Sequence, residues 1–107
     1  GINKMKNDAI VQIGKKKFNL KNKEQREAYW TLIAEGLLLN KQITKVEYMT
    51  ETESKENGWH KRPICFQVAD KKGNASWVVA QMDDEGNDGG VLAILTSKDK
   101  GNVIPVL

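Results

Sequence analysis

The spacing of apolar residues changes twice along this chain, and those changes decide which class of fold is open to it. Through Ala9-Ile10-Val11-Gln12-Ile13-Gly14-Lys15-Lys16-Lys17-Phe18-Asn19-Leu20, apolar and polar residues alternate on both sides of a Gly-Lys turn, as in a short β-hairpin. Val11, Ile13, Phe18 and Leu20 would share its buried face. At Asn22 the period lengthens: Ala28, Tyr29, Leu32, Ile33 and Leu37 fall on one helical stripe, opposite Lys23, Glu27, Thr31 and Glu35. Asn22 suits an N-cap with Gln25 completing a capping box, and Glu24 and Glu27 suit the positive end of the helix dipole. A helix is expected over 23–38. Gly36 either ends it early or admits a close neighbour, and Asn40 is the later stop.

After the helix the β pattern returns and continues to the end, with strands expected at 42–50, 62–69, 75–82, 91–96 and 102–106. Lys71-Lys72-Gly73-Asn74 reads as a hairpin turn. Val91-Leu92-Ala93-Ile94-Leu95 is apolar on both faces and would run near the middle of a sheet. Pro105 marks the last strand as an edge or a terminus. The polar stretches 51–61 and 83–90 are expected as loops. Two independent cores in 107 residues would each be marginal, so one domain, 1–107, is expected. The class is α+β: one main helix packed on a mostly antiparallel sheet in the order β-β-α-β-β-β-β-β. The opening order resembles that of a β-grasp.

Hydrophobic residues make up 39% of the chain and charged residues 29%, too apolar for disorder and too evenly charged for a membrane span. No membrane partner is expected. The net charge of +3 is unevenly spread: residues 1–23 hold seven Lys against Asp8, whereas the remainder holds ten basic and thirteen acidic side chains. The single Cys excludes an internal disulfide and fits a reducing compartment. The start, Gly1-Ile2-Asn3-Lys4-Met5-Lys6, leads into Asn7 and Asp8 rather than an apolar stretch, so, unless a leader was removed, a cytoplasmic location is expected.

Little here supports a reaction. Asp84, Gly86 and Asp88 echo the start of a calcium loop, but Gly86 lacks a side-chain ligand and the twelfth position is Leu95 rather than Glu. His60 and Cys65 form the only conceivable Cys-His pair, yet Cys65 lies in an apolar strand where a free Cys serves as a small buried hydrophobe. One His and one Cys cannot close a four-ligand zinc site within the chain. Facing carboxylates always occur as a general option among fourteen acidic residues. No catalytic residue, metal or cofactor is assigned, and an enzyme ranks third among the readings.

The leading expectation is a small non-catalytic protein that docks on another protein through Trp59, His60, Lys61 and Arg62, together with the acidic loop residues Asp83, Asp84, Glu85 and Asp88. Trp and Arg are the residue types most enriched at binding hot spots. The structural alternative is that Trp59 folds back as a lid over the helix and Arg62 pairs with a Glu of its own loop. A second functional reading is a nucleic-acid-binding module in which Lys15, Lys16, Lys17, Lys61 and Arg62 meet phosphates while Trp59 stacks on a base. Apolar edge strands also leave room for a homodimer.

Overall fold

The computed structural model describes residues 9–96 and 101–107; the basic start of the chain, with Lys4 and Lys6, lies outside them. The expected α+β class is observed, with one main helix and small antiparallel sheets. The elements are β1 (Ile10–Ile13), β2 (Lys16–Asn19), α1 (Lys23–Leu38), β3 (Gln42–Tyr48), α2 (Glu51–Glu56), β4 (Ile64–Ala69), β5 (Ala75–Val79), β6 (Leu92–Ile94) and β7 (Asn102–Ile104). The chain divides into two compact units, Gly1–Leu39 and Asn40–Leu107.

In the first unit, β1 and β2 pair as the expected hairpin, with Val11 opposite Phe18 and Gly14 at φ 59 in the two-residue turn. Phe18 is fully buried and its ring meets Tyr29 of α1 at 5.7 Å. Lys16 sits 5.4 Å from the centre of the Phe18 ring, so one of the three expected tip lysines already has an aromatic partner. The Asn22 side chain accepts the Gln25 amide as expected of an N-cap. Gln25 does not return the bond to Asn22; its Oε1 accepts the Asn19 amide at 2.7 Å, tying the helix start to the hairpin. On the apolar stripe Tyr29 and Ile33 are half-buried, while Ala28, Leu32 and Leu37 remain exposed. Gly36 does not end α1: the helix runs on to Leu38, and among the described residues a Cβ at Gly36 would meet nothing. The helix ends where Leu39 turns extended at ψ 138, and Asn40, at φ 61, completes the turn that follows.

In the second unit β3, β4 and β5 form one antiparallel sheet with β4 at its centre. A bulge between Ile43 and Lys45 bends β3, and Thr44 bonds across it to the Gln67 side chain at 3.0 Å. Ile43, Val46, Tyr48, Ile64, Phe66, Val68 and Val78 share one face by register. Glu47, Cys65, Trp77 and Val79 share the other. The buried residues of this unit are Met49, Ser54, Pro63, Ile64, Cys65, Val68 and Gly89. The core thus gathers where β4 begins.

Three expectations need correction. The strands form three sheets rather than one, and among the described residues β1 and β2 pair only with each other, so the β-grasp-like opening is not built. The segment 91–95 is not central: among the described residues β6 pairs with β7 alone, in a separate two-stranded sheet. The segment 51–61 is not all loop. Thr50 and Glu53 form a full capping box, and Gly58 at φ 72 closes α2 with the paired bonds Trp59 N to Ser54 O and Gly58 N to Lys55 O.

Because the helical Gly36 has open space around it, Gly36→Ala removes backbone freedom from the unfolded chain without a clash. It should raise stability by about 0.5–1 kcal/mol in urea denaturation. A loss of stability would show that something packs against that face of α1.

Candidate functional site

The two segments singled out for docking are bonded to each other. The end of α2 sets the first: the left-handed Gly58 turns the chain so that Trp59 follows directly, and buried Ser54 holds the turn by donating its hydroxyl to the Trp59 carbonyl at 3.0 Å. Asp83 organises the second, accepting the amides of Glu85 and Asn87 and the Asn87 side chain at 2.7 Å. The same device recurs at the β4–β5 turn, where Asp70 accepts the amides of Lys72 and Asn74 and the Asn74 side chain. Both turns read Asp-x-x-Gly-Asn with the Gly at positive φ, a repeated local pattern that carries Lys71 and Lys72 in one case and Asp84 and Glu85 in the other.

Two contacts join the segments. The Trp59 indole Nε1 donates to the Gly86 carbonyl at 2.7 Å. Asp88 Oδ1 accepts the amides of His60 at 3.2 Å, Lys61 at 3.0 Å and its own neighbour Gly89 at 2.8 Å. Close approach also requires the absence of side chains: a Cβ on Gly89 would stand 2.7 Å from Pro63 Cδ, and one on Gly90 would stand 2.6 Å from the Gln81 carbonyl oxygen. Gly89 is therefore a steric seam between the two segments, and Gly90 lets the two ends of the acidic loop close on each other.

Trp59 is half-buried, and its indole N–H is held by the acidic loop. His60 and Lys61 expose their side chains while their amides are held by Asp88. Arg62 is half-buried; its guanidinium reaches the Met49 carbonyl at 3.4 Å rather than a loop Glu, and its backbone exchanges both hydrogen bonds with Leu107. Asp84 and Glu85 are exposed at the loop tip. Trp59, His60 and Arg62 line an open groove of about 420 Å³ with Glu51, Ser54, Lys55 and Leu107. The α2 contributors were missed in the sequence, although Thr50-x-x-Glu53 followed by Gly58 was a readable helix signal. On the other side of the seam a second groove of about 420 Å³ is lined by Lys61, Met82, Asp88, Val91 and Val106, among others.

Lys15, Lys16 and Lys17 belong to the first unit, Lys15 in the hairpin turn and the other two on β2. Cys65 is buried on β4 and does not line the groove that holds His60. Burial first, then the charges of Glu53 and Glu47, push its thiol above the ordinary range, the opposite of an activated nucleophile. Among the described residues no three His, Cys, Asp or Glu side chains gather as metal ligands. Among the described residues no helix is long and apolar enough to cross a membrane.

The loop carboxylates have consequences for stability. The Asn87 side chain and amide hold Asp83 below the usual carboxylate range. At Asp88 desolvation is the largest single influence and acts upward, but the amides of Gly89, Lys61 and His60, with the nearby His60 charge, outweigh it and leave the carboxyl lowered. Asp70 is lowered in the same way as Asp83, chiefly by Asn74. The folded state thus binds fewer protons than the unfolded state in acid. These bonds contribute fully above the ordinary Asp value of 3.8 and are lost as pH falls through the lower folded values. The melting temperature should hold from neutrality to about pH 5 and drop below it. Asp88→Ala should melt lower at neutral pH and show a shallower acid decline; an unchanged slope would contradict the assigned role of Asp88. No protein family, no curated protein and no solved structure matches this chain, so what the site does rests on its own geometry.

Proposed function

We propose that this protein is a non-catalytic docking module that binds another protein through the groove beside Trp59. The observation that carries this reading is the fixed setting of Trp59: its indole N–H is held on Gly86, its backbone is held by Ser54, and it borders an open groove with Arg62 and His60. A large aromatic side chain already locked in place loses little freedom on binding, which is what a binding hot spot needs. The groove mixes Glu51 with Lys55, His60 and Arg62, a rim suited to a polar protein surface around an apolar anchor.

The same geometry weighs against a polyanion. Asp88 lies directly beneath His60 and Lys61, and Asp83, Asp84 and Glu85 follow on the loop that holds the indole, so the field around Trp59 includes four carboxylates that repel phosphate.

A photo-crosslinker placed at Lys55, on the groove rim, should capture a protein that folded Trp59→Ala loses and Trp30→Ala retains. Capture insensitive to Trp59→Ala would overturn the reading. So would tight binding of single-stranded RNA or DNA that weakens steeply between about 50 and 200 mM salt, the signature of phosphate contacts.

A further inference from the structure

The sheet face opposite the apolar one carries another cavity, separate from both grooves already described. The register sets Glu47, Cys65 and Val79 side by side across β3, β4 and β5, and Trp77 lies one step along β5 on the same face. With Tyr48, Met49 and Glu53 they line an open trough of about 280 Å³. Met49, Cys65 and Val79 give it soft apolar surface. Trp77, 46% exposed, gives it an aromatic wall.

Glu47 and Glu53 are its charged lining residues, and no cation lines it. Lys45 shares the face one step along β3 but does not reach the trough. Glu53 is fixed, because its Oε1 accepts the Thr50 amide at 3.0 Å and the Thr50 hydroxyl at 2.9 Å, bonds that also favour the ionised form. Both carboxylates bear on the same spot, since each raises the Cys65 thiol at the floor.

We propose that this trough binds a weakly hydrated organic cation, an alkylated ammonium or guanidinium group, with Trp77 as its aromatic face and Glu47 and Glu53 as its counter-charges. Trp is the strongest partner in cation–π contacts. An apolar floor disfavours strongly hydrated ions, which hold their water, and favours cations that shed it easily. An anion is repelled by both carboxylates. The volume lies at the small end of ligand cavities and suits one head group. The site shares no lining residue with the Trp59 groove, so the two proposals stand or fall separately.

Isothermal titration of the whole chain with choline and with methylguanidinium tests the site, with the neutral tert-butyl isostere of choline as control. We expect saturable millimolar binding of at least one cation, and the isostere weaker by about tenfold or more. The tighter cation identifies the head group. Glu47→Gln, at an exposed position, and Trp77→Leu should each weaken binding by about three- to tenfold. Glu53→Gln, which preserves the capping box, should do likewise, and Trp59→Ala should leave affinity unchanged. The proposal is overturned if neither cation saturates by about 20 mM, if the isostere binds as tightly as choline, or if Glu47→Gln and Trp77→Leu both bind as the parent does.

Discussion

One oxygen of Asp88 accepts three backbone amides, two of them from a segment 27 and 28 residues earlier in the chain. Each of those donors would otherwise need water or another acceptor. By gathering them, Asp88 sets the position of the 59–62 segment relative to the acidic loop, and Trp59 reinforces the same junction by bonding to Gly86. The seam is sterically specific as well: Gly89 and Gly90 permit an approach to Pro63 and Gln81 that a Cβ would block. Hydrogen bonds supply the direction of this contact, and the two glycines supply the space.

The arrangement explains how a small unit with few buried side chains can present a preformed groove. Its buried residues, Ser54, Pro63, Ile64 and Gly89 among them, lie under the seam, so the ordered loops grow out of the core. Ser54 couples α2 to the Trp59 turn, and α2 in turn separates two grooves: Glu51, Ser54 and Lys55 border the Trp59 groove, while Glu53 borders the trough on the sheet. One short helix of six residues, stabilised at both ends by its caps, therefore shapes both candidate sites.

The hairpin and α1 were legible in the sequence because each is carried by contiguous signals: alternation around Gly14, then an apolar stripe opened by Asn22 and followed by the turn residue Asn40. The strands of the second unit were also legible, though each is two or three residues shorter than the pattern predicts, since strand ends depend on partners that sequence does not display. α2 escaped because a helix of a turn and a half cannot establish a period; only its capping residues announce it. Trp59 and the acidic loop were recognisable as unusual segments, but not as partners, because Asp88 reaches its acceptor role only through long-range packing. The pair Gly89-Gly90 is visible in the sequence, but that it lets chain segments approach closely depends on contacts with Lys61, Pro63 and Gln81 that only the fold creates. The two Asp-x-x-Gly-Asn turns were readable in full, since every bond that forms them lies within five residues.

The central claim is that the Trp59 segment and the acidic loop form one hydrogen-bonded unit held by Asp88, and hydrogen exchange followed by NMR tests it most directly. The account predicts that the Trp59 indole proton and the amides of His60, Lys61 and Gly89 exchange more slowly than the indole protons of Trp30 and Trp77, and that Asp88→Ala speeds all four together while β1–β2 amides keep their rates. A Trp59 indole proton exchanging as fast as those of the other two tryptophans, or amides that ignore Asp88→Ala, would contradict it.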